Sequence, residues 1–386
     1  MKHVFLLAEG LCDDPVPELD GRTPLEIAKT PNLDALAKKG RVGSTLFVPR
    51  ALAPSEDVAC MAALGFDPQE FYTGIAPLEA AAFGLPQKDR EVAFRLDLVT
   101  VFDDVLVDAS AGSIVPKESR LLIEELGRRL ADKRMRLYPG EGYKNILMID
   151  DAELADALDD LECTPPGRLV GQSFAKGLPK GKGGKILTDF MDASKEILDN
   201  NEINRVRIDL GENPANMVWP WGQGKRPPLP GFRERYGVDG AVFSEADFVR
   251  GLGRILGLKD GGIRAPKSLA GSFGDHPFVF VYVPFPGGEA EPALKDRVRH
   301  IEEFDSAVVG PAVKAAESAG AFRVCVTTTC AESSARKAKI HERVPFVFQG
   351  SGIEAGEGAA FSEKIASQSR FVVEEGHKLM GQFLGK

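Results

Sequence analysis

The sequence predicts an α/β protein whose core is a mainly parallel sheet with helices on both faces, joined to an inserted α+β domain. Short apolar runs typical of buried strands alternate with helix signals at both ends of the chain. The middle instead contains neighbouring strands around a turn at Asp103-Asp104. A length of 386 residues suits two domains. We expect the core at 1–87 and 206–386 and the insertion at 88–205.

The first elements follow from local signals. The apolar run Val4 to Ala8 predicts a buried strand that ends at Glu9-Gly10. Thr23-Pro24-Leu25-Glu26 has the pattern of a capping box with proline at the first helical position, which predicts a helix start. Thr30-Pro31 repeats the start signal, and Gly40 is expected to end this second helix.

Later apolar runs have the same buried-strand character: Ala241 to Phe243, Phe278 to Val283, Arg323 to Thr327 and Val344 to Phe348. A helix capped at Ser244 is expected after the first of them, reaching about Leu256.

The insertion has a different order of elements. The patterns predict strands at Phe94 to Val101 and Val105 to Ala109, followed by an amphipathic helix at Lys117 to Leu130. A further strand is predicted at Tyr143 to Ile149 and an acidic helix at Asp151 to Leu161. Stretches rich in proline and glycine at 165–167 and 177–184 predict loops.

Composition excludes several classes of protein. With 43% hydrophobic and 27% charged residues, the chain is typical of a globular protein with a sizeable core. A net charge of −9 without a long basic run argues against nucleic acid as a partner. No apolar stretch suits a membrane helix, and Met1-Lys2-His3 leads directly into the first strand without a signal peptide. Five scattered cysteines predict reduced thiols and a cytoplasmic location.

Several motifs carry a family resemblance. Pro54-Ser55-Glu56-Asp57-Val58 precedes Leu64-Gly65-Phe66-Asp67-Pro68, and Tyr72-Thr73-Gly74 and Pro77-Leu78-Glu79-Ala80 follow. These segments resemble the archaeal-type, cofactor-independent phosphoglycerate mutases of the alkaline-phosphatase superfamily. The run from Asn213 to Gly224 resembles a bacterial branch proposed to be homoserine kinases. The resemblance implies an alkaline-phosphatase-like core.

The family's reaction implies a serine nucleophile and two divalent cations such as manganese or zinc, which activate the hydroxyl and offset phosphoryl charge. Counted back from Pro68, the serine position holds Glu56 and the preceding glycine position holds Ser55. We therefore treat Ser55 and Glu56 as the candidate catalytic positions. Their alternative interpretations are a helix N-cap for Ser55 and a first-turn carboxylate for Glu56.

The resemblance also places the family's metal-ligand positions on residues that are mostly of other types. They fall on Glu9, Gly287, Glu291, Thr329, Cys330 and Lys339. We therefore expect no bound metal pair and no other cofactor. Arg95, Arg205 and Arg207 lie where relatives keep substrate-side arginines, so they are the candidates for binding a small anionic metabolite.

Two functions remain open from the sequence. The first is a divergent, catalytically degenerate member of the mutase family. The second is an active phosphoryl-transfer enzyme with a rebuilt site around Glu9, Ser55, Cys330 and His341. That enzyme would be a phosphomutase converting 3-phosphoglycerate to 2-phosphoglycerate, or a homoserine-kinase-like protein.

Overall fold

The computed structural model describes residues 1–262, 273–274, 276–285 and 293–386. These residues form two compact units. The first unit combines Met1–Tyr72 with Pro228–Lys386, and the second is Thr73–Pro227. The insertion predicted at 88–205 is contained in the second unit.

The strands are β1 (Lys2–Ala8), β2 (Cys12–Asp13), β3 (Arg41–Thr45), β4 (Glu91–Phe102), β5 (Val105–Asp108), β6 (Met135–Glu141), β7 (Lys144–Asp150), β8 (Gln172–Ser173), β9 (Met217–Gly224), β10 (Gly240–Phe243), β11 (Lys259–Asp260), β12 (Phe278–Val283), β13 (Phe322–Thr328), β14 (Ala331–Ser333), β15 (Ala338–Ile340), β16 (Val344–Gly350) and β17 (Val372–Val373).

The α-helices are α1 (Pro24–Ile27), α2 (Pro31–Lys39), α3 (Glu56–Ala63), α4 (Pro68–Phe71), α5 (Ile75–Ala82), α6 (Pro116–Leu130), α7 (Ala155–Asp159), α8 (Gly184–Asp199), α9 (Glu202–Asp209), α10 (Phe232–Tyr236), α11 (Asp247–Ile255), α12 (Leu294–Phe304), α13 (Gly310–Ser318), α14 (Glu363–Gln368) and α15 (Leu379–Leu384). Short 3-10 segments lie at Pro17–Leu19, Pro166–Leu169, Phe174–Gly177 and Gly376–Lys378, and a π segment at Asp305–Val309 joins α12 to α13.

The first unit contains an eight-stranded sheet in the order β11-β10-β12-β1-β13-β16-β3-β17. Neighbouring strands run parallel from β11 to β13 and again between β3 and β17. Strand β16 is reversed, because it is antiparallel to both β13 and β3. The predicted mainly parallel α/β core is therefore confirmed.

Helices cover both faces of this sheet, as the alternating side chains of β1 show. Val4 and Leu6 belong to a buried core that also contains Leu33 of α2 and Ile301 of α12. Phe5, which points the other way, packs against Phe383 of α15 with ring centroids 5.6 Å apart. Burial on both faces explains why β1 is apolar throughout rather than alternating.

The N-termini of the first two helices are capped differently. The Thr23 hydroxyl accepts the Glu26 N–H and the Glu26 carboxylate accepts the Thr23 N–H, so the predicted capping box is confirmed. The Thr30 side chain makes no cap bond at α2. The Asp305 carboxylate of the π segment instead accepts the Leu33 N–H at 2.7 Å, so a distant residue stabilises the start of that helix.

The second unit is built on a six-stranded sheet in which β4 is central. Its order is β6-β7-β4-β5-β8, and β9 also pairs with β4. Helices α6 and α8 pack on it through Leu122, Leu126, Leu187 and Leu198. Helix α5 and strand β9 also belong to this unit, although both lie outside 88–205. The reason is that α5 packs on β4 and that β9 pairs with β4.

Local predictions failed where side chains form turns. The predicted acidic helix at Asp151 to Leu161 shortens to α7, because the Asp151 carboxylate accepts the N–H groups of Glu153 and Leu154. The hydroxyl of Ser244 accepts the Ala246 N–H, so α11 begins only at Asp247, after Ala246 as its N-cap. Within the described residues, no helix combines the length and apolar character needed to span a bilayer.

Candidate functional site

Three charged residues meet at the end of the large sheet where its parallel strands finish. Glu9 directly follows β1, Glu56 is the first residue of α3, and Lys339 lies in the middle of β15. The carboxyl ends of the strands are where open α/β sheets place ligands and chemistry. We refer to Glu9, Glu56 and Lys339 as the carboxylate–ammonium cluster.

The Lys339 ammonium lies between the two carboxylates. Its Nζ atom is 3.3 Å from Oε1 of Glu9 and also forms an ion pair with Oε1 of Glu56. The side chains are 18% exposed for Glu9, 19% for Glu56 and 30% for Lys339. Each charge is thus largely withdrawn from water, and the ammonium is the counter-ion of both carboxylates.

The surrounding structure holds Glu9 in place. Its Oε2 atom accepts the Phe285 N–H at 2.9 Å and the Tyr282 hydroxyl at 3.3 Å. Its backbone carbonyl accepts a hydrogen bond of 3.1 Å from Nε2 of His300 in α12. The Phe285 N–H and the Tyr282 hydroxyl favour the ionised carboxylate, and His300 fixes the backbone of Glu9. These bonds hold the Glu9 side chain where its other oxygen contacts Lys339.

The three groups perturb one another's protonation. Burial, and then the charge of Glu9, raises the pKa of Glu56 to about 7. Burial opposes ionisation of Glu9, but Lys339 and the Phe285 N–H outweigh it and hold the pKa of Glu9 below its ordinary value. Burial also opposes the charged form of Lys339, yet Glu56 and Glu9 raise its pKa above the ordinary value. The cluster therefore contains a permanent ammonium, an ionised Glu9 and a Glu56 that titrates near neutral pH.

Ser55 and Cys330 lie beside the cluster without any arrangement that would activate them. Ser55 occupies the N-cap position of α3, but its side chain accepts no hydrogen bond from that helix. The Cys330 thiol contacts the Ser55 carbonyl at 3.7 Å. Burial, and then the Glu56 charge, raises the pKa of Cys330 well above its ordinary value. A protonated, buried thiol is a poor base and a poor nucleophile.

Thr329, a predicted ligand position, and His341, a residue of the alternative rebuilt site, both have structural partners. The Thr329 N–H donates to the Ala8 carbonyl at 3.2 Å, which joins β13 to β1. Nε2 of His341 donates to the Leu52 carbonyl at 2.8 Å. Gly287 and Glu291 lie outside the described residues.

The candidate substrate arginines belong to the second unit, and two of them are engaged internally. Buried Arg95 pairs with Asp97 at 2.9 Å and with Glu79 at 3.5 Å. Arg95 also stacks on Trp221, with the guanidinium carbon 4.7 Å from the ring centroid. The positive charge of Arg95 is therefore neutralised by carboxylates within the protein.

Arg207 is also buried, whereas Arg205 is exposed on the same helix, α9. The Arg207 guanidinium pairs with Glu118 at 2.6 Å and with Glu212 at 3.1 Å. Of the three arginines, only Arg205 presents its charge to solvent, so anion binding by this set stays a prediction.

A pair of divalent cations does not fit the residues of the cluster. Carboxylates suit hard cations, but an ammonium already lies against both Glu9 and Glu56. In the described ranges, no group of three or more His, Cys, Asp or Glu side chains could hold a metal ion. Binding a cation here would require Lys339 to leave its two counter-ions.

The sequence did not reveal the role of Lys339 or the residues around Glu9. Lys339 was recognised only as a replaced ligand position, although a basic residue replacing a metal ligand is itself a signal of an internal counter-ion. Tyr282, Phe285 and His300 had no recognisable motif, because their contacts to Glu9 depend on the neighbouring strand β12 and on helix α12.

The fold and the family motifs of the sequence together indicate a phosphoglycerate-mutase-like protein. The chain belongs to the family of 2,3-bisphosphoglycerate-independent phosphoglycerate mutases. The sequence profile of that family matches residues 37–204. The 2,3-bisphosphoglycerate-independent phosphoglycerate mutase of Methanothrix thermoacetophila is 36% identical over 397 residues, covering 98% of each chain. A probable enzyme of the same name from Geobacter sulfurreducens is 35% identical over 411 residues, covering 100% of each chain.

Solved structures confirm the fold. A Pyrococcus horikoshii protein has a TM-score of 0.80 at 22% identity, covering 100% of this chain and 97% of that one. The cofactor-independent phosphoglycerate mutase of Thermoplasma acidophilum has a TM-score of 0.64 at 23% identity, covering 100% and 99%. The phosphoglycerate mutase family and the fold expected from the sequence motifs are thus confirmed, and the resemblance to the homoserine-kinase branch stays a prediction.

Proposed function

We propose that this chain is a catalytically degenerate member of its family that does not carry out metal-dependent phosphoryl transfer. The observation that carries the proposal is the position of the Lys339 ammonium against both Glu9 and Glu56. A side-chain cation there supplies the neutralisation that carboxylates otherwise take from a metal. It cannot supply the Lewis acidity that lowers the pKa of an attacking hydroxyl.

Charge at the cluster also disfavours a phosphorylated substrate. With both carboxylates ionised, Glu9, Glu56 and Lys339 together carry one net negative charge, and Lys339 is already paired. An approaching phosphate dianion would meet this negative charge in a partly dehydrated place, where repulsion is stronger than in water. Phosphate monoesters should therefore bind weakly here.

The chemistry of the nucleophile supports the same proposal. The family resemblance places the serine position on the carboxylate Glu56. The adjacent Ser55 hydroxyl would need a base or a metal to become nucleophilic. Its described neighbour, Cys330, has a raised pKa and stays protonated.

An active phosphomutase is the second candidate function. Similarity of 35–36% over the full length to proteins named as phosphoglycerate mutases favours it. In that case the reaction would interconvert 3-phosphoglycerate and 2-phosphoglycerate through groups other than a metal-activated serine.

A turnover assay decides between the two. Purified protein is incubated with 3-phosphoglycerate, and separately with a general phosphatase substrate, each with and without Mn²⁺. The Methanothrix thermoacetophila relative serves as the positive control. We expect no product above background and no phosphorylated serine by mass spectrometry. Robust turnover, or phosphate trapped on Ser55, would overturn the proposal in favour of an active enzyme.

A further inference from the structure

A polar cavity lies in the first unit, away from the carboxylate–ammonium cluster. It has a volume of about 600 Å³ and is lined in part by Arg41, Glu357, Arg370 and Phe371. This volume is in the range that accommodates small metabolites. We call it the Arg41 pocket.

The Arg41 pocket and the cluster lie at opposite ends of the strands of the large sheet. Strand β13 is parallel to β1, and β16 is antiparallel to β13. Strand β3 is antiparallel to β16 and so runs in the same direction as β1. Arg41 begins β3, whereas Glu9 follows the end of β1. A ligand in the Arg41 pocket would therefore not compete with one at Glu9.

Arg41 is held in a fixed orientation at the pocket. Its guanidinium carbon lies 4.2 Å from the ring centroid of Phe371. Phe371 is itself packed edge-on against Phe346 and Phe348, with centroids 5.0 Å and 5.7 Å away. Stacking on an immobilised ring leaves the in-plane N–H groups of a guanidinium available, which is the geometry that binds oxyanions bidentately.

The pocket has an excess of positive charge although the chain as a whole carries −9. Arg41 and Arg370 both line it, against the single carboxylate of Glu357. Within the part of the chain that the structure describes, neither guanidinium forms an ion pair, unlike buried Arg95 and Arg207. Arg41 at the start of β3 and Arg370 shortly before β17 thus give the pocket one excess positive charge, which favours an anionic ligand.

We propose that the Arg41 pocket binds a compact dianionic metabolite, either a phosphate ester or a dicarboxylate, through Arg41 and Arg370. Both kinds of ligand carry an oxyanion that can accept paired N–H groups from Arg41. Both also carry a second negative charge, which Arg370 neutralises. The proposal does not depend on whether the cluster at Glu9 is active.

Calorimetric titration of the full chain at low ionic strength tests the proposal, with inorganic phosphate and malonate as separate probes. We expect one equivalent of at least one dianion to bind, and added sodium chloride to weaken it because the contact is electrostatic. Binding of phosphate alone would indicate a phosphate ester, and binding of malonate alone a dicarboxylate. Absence of binding by both would overturn the proposal.

Two variants and two controls locate the site. Arg41→Gln and Arg370→Gln should each weaken the dianion at least about tenfold, the effect of losing one charge-assisted contact. Arg128→Gln removes an exposed charge on α6 in the second unit and should change nothing. Glu56→Gln should also leave the affinity unchanged, which separates this site from the cluster. Equal affinity in wild type, Arg41→Gln and Arg370→Gln would place the anion elsewhere and contradict the proposal.

Discussion

The Lys339 ammonium lies 3.3 Å from Oε1 of Glu9 and is at the same time the counter-ion of Glu56. The three side chains come from a strand end, a helix start and a hairpin strand that are far apart in sequence. Their contacts form an internal ion cluster beside the end of β1.

Removing the ammonium should destabilise the protein. Lys339→Met would leave two neighbouring carboxylates without a counter-ion, and we expect a loss of about 2 kcal/mol in the free energy of unfolding at pH 7.5. Urea denaturation measures it. The triple variant Lys339→Met with Glu9→Gln and Glu56→Gln should recover most of the loss. If Lys339→Met alone were as stable as wild type, the ion pairs would not be structural.

Stability should depend on pH through Glu56. Its pKa is raised from the ordinary 4.5 to about 7, so the native state holds this proton more tightly than the unfolded state does. The stabilising contribution is therefore fully present below pH 4.5 and is lost as the pH rises through 7. The free energy of unfolding of wild type minus that of Glu56→Gln should fall across this window. A flat difference would show that Glu56 titrates normally.

The contribution of Glu9 to stability should change with pH in the opposite direction. Because its pKa is held below the ordinary value, its contribution is present above the unfolded-state pKa and disappears as the pH falls through the folded-state pKa. Glu9→Gln should therefore cost stability at neutral pH and progressively less in acid. Urea unfolding of wild type, Glu9→Gln and Glu56→Gln over one pH series measures how each variant's stability difference from wild type changes with pH. If both differences changed in the same direction, the described cluster would be contradicted.

Arg95 is expected to stabilise the second unit rather than bind substrate. Arg95→Met would remove the guanidinium that pairs with the buried carboxylates of Glu79 and Asp97, at a cost of about 3–5 kcal/mol. Arg205→Met removes an exposed charge of the same kind and should change stability by about 0.5 kcal/mol or less. Thermal melts compare the two. Equal melting temperatures would return Arg95 to the set of free, ligand-binding arginines.

Restoring the hydroxyl alone should not restore activity. Glu56→Ser places a hydroxyl where the resemblance locates the family's nucleophile. Lys339 remains, and Thr329 and Cys330 still occupy positions that the resemblance gives to metal ligands. We expect no phosphatase or mutase turnover from this variant, because an unassisted serine hydroxyl is a weak nucleophile. Turnover should require Gly287→Asp with Glu291→His and Thr329→Asp with Cys330→His as well. Activity from Glu56→Ser alone would refute this requirement.

Much of the core could be predicted because its signals are local. The apolar run of β1 and the capping box at Thr23 depend on adjacent residues, and both are confirmed. The reversal of β16 could not be predicted, since a buried strand has the same composition in either direction. The cap of α2 was also inaccessible, because Asp305 is more than two hundred residues away.

The candidate site was predicted by position but not by contact. The family resemblance singled out Glu9, Glu56 and Lys339 separately, and it gave no reason to place the ammonium between the carboxylates. That placement depends on the small sheet in which β15 pairs with β14 and β14 with β2. Pairings between short polar strands leave little trace in sequence.

The measurement that tests the central claim most directly is a manganese titration of the wild-type protein by calorimetry, with elemental analysis of protein purified without chelator. Because Lys339 already lies against both Glu9 and Glu56 as their counter-ion, we predict no tightly bound divalent metal by either method. Two equivalents of tightly held manganese or zinc would contradict the claim, since the ammonium would then have left both carboxylates.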